Sequence, residues 1–248
     1  MLELRNVIKK YKDFTALKGI SFDVSCGEVI GLIGANGAGK TTIMRLITRH
    51  FSTDKGEVLI GEKNIESIPI SECNQIAYIP DEPIYYEFMT VEEHFRFIKA
   101  MYPKGEYEVE EIVERFDLTE HLHKFPNTLS KGNLQKMMIG AAILREFDYL
   151  IADEPFTGLD PQQIHTFKQI LLELKDREKG VLLSTHLLDI VDTFCDKYII
   201  LNKGAIVASG TKQNISDVMN VSSDLSMEEV YISLINSTKY GEPMERVS

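Results

Sequence analysis

The segment that most constrains this chain is Gly34-Ala35-Asn36-Gly37-Ala38-Gly39-Lys40-Thr41, which fits the pattern G-x-x-x-x-G-K-[ST]. It stands between an apolar, β-rich run at 29–33 and a helical stretch at 42–48. The glycines let successive backbone N–H groups turn inward around phosphate oxygens, and the following helix adds the partial positive charge of its N-terminus. Gly34, Asn36, Gly37, Ala38, Gly39, Lys40, Thr41 and Thr42 are therefore the candidate phosphate-binding set. Within it, Lys40 would reach the β- and γ-phosphates and the Thr41 hydroxyl would ligate Mg²⁺.

Further apolar, β-rich runs at 58–60, 76–79, 149–152, 181–184 and 198–201 alternate with helical patterns. That alternation implies a largely parallel sheet covered on both faces. Val91, Phe95, Ile98 and Met101 fall on one helix face, as do Leu134, Met138, Ala141 and Leu144, and also Ile164, Phe167, Leu171 and Leu174. The interval 81–147 holds helical patterns and no convincing strand, so it reads as a helical insertion between two core strands. Segments 2–7 and 16–24 look like antiparallel strands around a polar turn, and 199–208 like a hairpin through Asn202-Lys203-Gly204. Beyond Gly210 the pattern weakens, with a short closing helix expected at 227–235.

Composition excludes several classes. With 44% hydrophobic and 26% charged residues the chain is an ordinary globular one, and 27 Lys+Arg against 38 Asp+Glu leave a net charge of -11, which repels a phosphate backbone. Nucleic acid is therefore not an expected partner. No stretch approaches the roughly 18 consecutive apolar residues of a membrane span, and the start has neither the core nor the flanks of a signal peptide. A soluble chain made in the cytosol is expected. Cys26, Cys73 and Cys195 have no metal-ligand spacing and read as reduced, small buried residues.

A second motif narrows the chemistry. Tyr149-Leu150-Ile151-Ala152-Asp153-Glu154 is an apolar strand ending in two carboxylates. Alone, such a pair is a solvated strand end; downstream of a phosphate loop it suits a metal ligand, Asp153, and a general base, Glu154, that polarises a water aimed at the γ-phosphate.

Taken in order, the motifs resemble those of the ATP-binding-cassette, or ABC, ATPases. Leu129-Ser130-Lys131-Gly132-Asn133-Leu134-Gln135-Lys136 is similar to that family's LSGGQ signature, Gly158-Leu159-Asp160 to its D-loop, and Ser184-Thr185-His186 to its switch histidine. Tyr11 stands where the family places an aromatic that stacks on adenine, and Ile79-Pro80-Asp81-Glu82 where its Q-loop is expected. The run 153–161 and the Ser-Lys-Gly form of the signature look like bacterial ABC-2-type exporter cassettes, including the EcsA-like branch.

The resemblance implies an α/β fold: a P-loop NTPase, RecA-like core with an antiparallel β subdomain and a helical subdomain inserted between core strands. One nucleotide-binding domain would span 1–248, with core and β subdomain over about 1–80 and 148–210, helical subdomain at 81–147 and a C-terminal extension at 211–248. It implies ATP and Mg²⁺ as cofactors, catalysis by Glu154 and His186, and metal ligation by Thr41 and Asp153, with Asp81 as a further candidate. Ser130, Gly132, Asn133 and Asp160 would contact nucleotide held by a second cassette, in a homodimer or a heterodimer.

Two departures stand out. Asp81 replaces the Q-loop glutamine and adds negative charge near the phosphates; Lys131 and Asn133 replace the commoner Gly and Gln of the signature, Lys131 either adding charge opposite ATP or facing solvent. The family further implies membrane subunits on separate chains and a place at the inner face of the cell membrane. The rival within the family is a soluble, non-transport ATPase such as an iron–sulfur assembly ATPase; a nucleotide-gated module without turnover and a GTPase fit less well. Finally, Tyr85, Tyr86, Phe88 and Met89 form an aromatic-rich loop that reads as a groove for a helix of the membrane subunit, the alternative being packing within the helical subdomain, the reading taken for Phe95 and Ile98.

Overall fold

The apolar run before the phosphate loop lies in the middle of a sheet. A computed structural model describes residues 1–69, 74–222 and 224–239. In chain order its first half runs β1 (Leu2–Tyr11), β2 (Phe14–Val24), β3 (Val29–Ile33), α1 (Lys40–Ile47), β4 (Lys55–Ile60), β5 (Lys63–Asn64), β6 (Ile76–Ile79), α2 (Val91–Met101), α3 (Val109–Arg115) and α4 (Lys131–Ile143). The second half runs β7 (Tyr149–Asp153), α5 (Pro161–Asp176), β8 (Gly180–Thr185), α6 (Leu188–Val191), β9 (Lys197–Asn202), β10 (Ala205–Gly210), α7 (Lys212–Val218) and α8 (Met227–Lys239).

One sheet has the order β10-β9-β3-β8-β7-β6, parallel except for the terminal β9–β10 hairpin; the other, β2-β1-β4-β5, is antiparallel. Successive side chains of a strand point to opposite faces. Ile30, Leu32, Ile151 and Leu182 accordingly join β1, β2 and α1 in one core, whereas Val29, Ile33, Ala152 and Leu183 share the other with Phe95, Ile112, Ile139 and Phe167. Among the described residues no strand interrupts 80–148, and its helices share their core with the main sheet.

Helix α2 starts at a reciprocal cap: the Glu93 N–H donates to Thr90 Oγ1 at 3.3 Å and the Thr90 N–H donates to the Glu93 carboxylate at 2.7 Å. Three readings need correction. Met101 is 59% exposed, because it lies in the last turn of α2, beyond the packing that buries Val91 and Phe95. Helix α4 has no single apolar face: Met137, Ile139 and Ile143 are buried along with Met138 and Leu144, since α2 and β6 both pack on it. Close approach is what Gly140 permits, for a Cβ there would stand 2.7 Å from Ile112 and 2.9 Å from Phe95. Cys26 is exposed in the tight turn between β2 and β3, its Sγ 3.4 Å from the Tyr149 hydroxyl, whereas Cys195 is half-buried against the core. Cys73 lies outside the described residues.

The helical segment is tied to the core at one end by charge. Tyr107 is buried between the guanidinium groups of Arg115 and Arg177, 5.6 and 4.8 Å from its ring centroid, and its hydroxyl donates to Glu173 at 3.1 Å. Arg115 donates to the same carboxylate at 2.8 Å, while Glu106 accepts from Arg177 at 3.1 Å and pairs with Lys179 at 3.0 Å. Partial burial pushes the Glu106 carboxyl up, but its bonds to Lys179 and Arg177 outweigh this and hold it below the ordinary glutamate value. A depressed folded value means the stabilisation is present above pH 4.5 and is lost as pH falls below it. Glu106→Gln should therefore cost up to about 1 kcal/mol in urea unfolding at pH 7, the pair being partly solvated, and the loss should shrink toward pH 4. A loss that does not depend on pH would count against the ionic account.

Candidate functional site

Spatial order explains why distant residues meet. The strands β3, β8, β7 and β6 are successive parallel neighbours, so their carboxyl ends release the chain at one edge of the sheet. After β3 comes the phosphate loop, after β8 His186, after β7 Glu154, and after β6 Asp81.

Within the loop, the Ala38 N–H donates to the Ala35 carbonyl at 3.0 Å, and Gly39 caps α1 with φ +115°. That conformation and the space both demand glycine: a Cβ at Gly39 would stand 2.8 Å from the Leu17 side chain. Lys40 is buried, its ammonium donating to the Gly34 carbonyl at 2.6 Å and standing 3.7 Å from the Glu154 carboxylate. The loop opens into a pocket of about 410 Å³. Asn36, Gly37, Gly39, Lys40, Thr41 and Thr42 line it, together with Tyr11 and the carboxylates Asp81, Asp153 and Glu154. Gly34 and Ala38 do not; they support the loop from behind, Ala38 buried and Gly34 holding Lys40.

Asp153 is 1% exposed and accepts a hydrogen bond from Ser184 Oγ at 2.5 Å through Oδ1, while its Oδ2 is buried without a partner among the described residues. An unpaired buried carboxylate oxygen is costly unless a cation joins it. Together with the Thr41 hydroxyl in the same pocket, it fits Mg²⁺. Among the described residues no three His, Cys, Asp or Glu side chains are grouped so as to hold a metal ion unaided.

Glu154 has φ +48°, a left-handed conformation that costs a non-glycine residue on the order of 1–3 kcal/mol. Its N–H donates to the Ser184 carbonyl at 3.1 Å and to Ser184 Oγ at 3.0 Å, which keeps the turn in place. Its carboxylate accepts from the His186 N–H at 3.3 Å and lies 2.9 Å from His186 Nδ1. Burial first, then the charges of Asp153 and Glu154, raise the Asp81 carboxyl above its ordinary range, with Lys131 opposing.

The remaining sequence-derived residues sit elsewhere. Ser130 caps α4, its Oγ accepting from the Asn133 N–H at 3.3 Å; Asp160 caps α5, accepting from the Gln163 N–H at 2.9 Å. Gly132 packs so tightly that a Cβ would stand 2.7 Å from the Gly158 carbonyl, and Gln135 donates to the Pro155 carbonyl at 3.0 Å. Asn133 Nδ2 lies 2.8 Å from His121 Nε2. None of Ser130, Gly132, Asn133, Asp160 and His186 lines the pocket.

Sequence reasoning missed Phe14, 62% exposed, which lines the pocket and pairs directly with Tyr11 across the β1–β2 turn. An aromatic residue on each side of one polar turn was the available signal. The Tyr11 ring is itself braced edge-on by Phe51, centroids 5.7 Å apart.

A separate groove of about 580 Å³ runs beside the helical segment, lined by Tyr78, Ile84, Ile98, Tyr102, Met138 and Arg145 among others. Tyr85, Tyr86, Phe88 and Met89 do not line it. Tyr85 is half-buried against the core, Met89 is half-buried, Tyr86 packs on His94 and Phe97, and Phe88 is 90% exposed. Ile98, read as core, packs against it half-buried and also forms part of the groove wall.

Comparison with known proteins gives one consistent result. The model of a family described as ABC transporter matches residues 17–157. The Bacillus subtilis ABC-type transporter ATP-binding protein EcsA is 33% identical over 238 residues, covering 94% of this chain and 96% of the relative. The lipopolysaccharide export system ATP-binding protein LptB of Haemophilus influenzae is 29% identical over 239 residues, covering 94% and 97%. A solved ATP-binding subunit of an ABC transporter superposes with TM-score 0.88 at 36% identity, covering 95% of this chain and 99% of that one.

Lys40→Ala should weaken ATP binding by roughly tenfold to a hundredfold in calorimetry, the effect of losing a charged hydrogen-bond donor. Phe14→Ala should cost about 1–3 kcal/mol if its ring meets the base, with little effect on inorganic pyrophosphate binding. Equal losses for both ligands would remove Phe14 from base recognition.

Proposed function

The chain belongs to the ABC transporter family as an ATP-binding, ATP-hydrolysing cassette, and on that premise we propose that it powers an exporter whose membrane subunits are separate chains. The observation that carries the nucleotide chemistry is the convergence of the phosphate loop, Asp153–Glu154 and His186 at one edge of four neighbouring strands. Export is supported by the likeness to LptB, the ATP-binding protein of a lipopolysaccharide export system.

Loop N–H groups and Lys40 hold the phosphates, and Tyr11 with Phe14 offers flat rings to the base. Asp153 and Thr41 would hold Mg²⁺, which, when bound, offsets the charge that develops on the transferred phosphoryl group. Glu154 accepts the proton of the attacking water, and His186, hydrogen-bonded to it, orients that carboxylate and senses the γ-phosphate. Ser130 and Asp160 are exposed, and together with Gly132 and Asn133 they lie outside the pocket of their own chain, which supports a role across a dimer of cassettes.

No helix among the described residues is long and apolar enough to cross a membrane. We place the chain at the cytoplasmic face of the membrane, bound through the groove beside α2 and α4 and the loop that follows Ile84, where Tyr86 and Phe88 are exposed and Tyr85 and Met89 half-buried. Affinity purification from detergent-solubilised native membranes should recover membrane-spanning partners. Recovery of only soluble scaffold proteins would instead favour an iron–sulfur assembly ATPase.

Glu154→Gln should slow hydrolysis by about a hundredfold or more while leaving ATP binding intact, because binding rests on the loop and Lys40. Parent-level phosphate release by that variant would remove Glu154 as the base. Phe88→Ala should reduce recovery of the membrane partners and leave nucleotide affinity of the isolated chain within about twofold, since a side chain so exposed contributes little to the fold. Undiminished recovery would place the contact elsewhere.

A further inference from the structure

Charge in the nucleotide pocket is lopsided. Among the described residues, the ionisable side chains lining it are the carboxylates Asp81, Asp153 and Glu154 and one ammonium, Lys40, with the phenol of Tyr11. Lys40 is committed to the Gly34 carbonyl and to Glu154. Asp153 already has one buried carboxylate oxygen without a partner, so the pocket wall is short of positive charge before any third acid is counted. Asp81 supplies that third acid from the loop after β6, and the charge of Lys131 on α4 opposes it. Burial first, and then the charges of Asp153 and Glu154, push the Asp81 carboxyl up.

The partial charge of the α1 N-terminus and the loop N–H groups attract an anion, but a fixed side-chain charge of opposite effect stands in the same pocket. A nucleotide without a metal brings several further negative charges. A nucleotide already complexed by a divalent cation brings fewer, and it supplies the partner that Asp153 lacks.

We propose that Asp81 makes nucleotide binding conditional on a divalent cation, repelling the metal-free nucleotide while tolerating the metal complex. Asp81 then sets ligand selectivity rather than bond cleavage. A neutral amide of similar size would leave the phosphate loop and the metal ligands in place and lose the discrimination. The inference rests on nucleotide binding in this pocket and is independent of transport.

The test uses the full chain and ADP, which avoids turnover. Affinity is measured by calorimetry in EDTA and in excess Mg²⁺, at matched ionic strength, for the parent, Asp81→Asn and Asp81→Gln, with thermal melts verifying that all are folded. Removing one uncompensated charge at close range should strengthen metal-free ADP binding by about fivefold to tenfold in both variants, with Mg²⁺-ADP binding changed by less than about twofold. Raising salt should narrow the gap between parent and variants in EDTA, because screening weakens the repulsion. If metal-free affinity is unchanged or falls, the proposal is wrong. Weakening confined to Mg²⁺-ADP would assign Asp81 to metal ligation instead, and equal strengthening of both forms would show a general effect without discrimination. A parent that binds neither form would overturn the nucleotide reading of the pocket itself.

Discussion

Ser184 is the residue on which the geometry of the candidate site hangs. Its hydroxyl donates to one oxygen of Asp153 and accepts from the Glu154 N–H, and its carbonyl accepts from that same N–H. One side chain at the end of β8 thereby fixes two consecutive acids at the end of β7. It occupies one Asp153 oxygen and leaves the other unpaired, and it holds Glu154 in a left-handed conformation that the chain would otherwise abandon. Turning the backbone there brings the Glu154 carboxylate within reach of both His186 and Lys40, residues delivered by two other strands.

The chain that leaves this turn is also the chain on which α4 rests. Pro155 accepts from Gln135 and Gly158 meets Gly132 almost backbone to backbone, so the loop running from Glu154 toward Asp160 is packed under the start of α4. Ser130 sits at the cap of that helix and Lys131 lies along Gly158. The loop that follows Glu154 is thus in direct contact with the start of the helix that carries Ser130 and Lys131.

Much of this was legible in the chain itself because the informative features are local. A phosphate loop is a contiguous run, and the strands at 29–33 and 76–79 are found with the boundaries that their apolar residues mark. The cap at Thr90 is likewise set by neighbours in sequence. What escaped depends on elements meeting in space. Helix α4 reads as one-sided in sequence but is enclosed by α2, β6 and the Pro155 turn. Phe14 joins the pocket only through its pairing with Tyr11, and the groove joins Tyr78, Ile84 and Tyr102 from three segments. Cys26 reads as a small buried residue and is exposed, since a tight turn between strands leaves no interior to enter.

The shared core has a consequence for how such chains can be recombined. Phe95, Ile112 and Ile139 of the helical segment pack in the same cluster as Val29, Ile33 and Leu183 of the sheet. Although residues 80–148 leave and rejoin the sheet at adjacent strands, the segment is no cassette within a cassette that could be transplanted from one relative to another. Its inward surface is cut to one particular set of strand side chains. A chimera that exchanges the helices alone inherits a mismatched seam beneath the candidate site, because a close-packed interior tolerates poorly a change made on one side only.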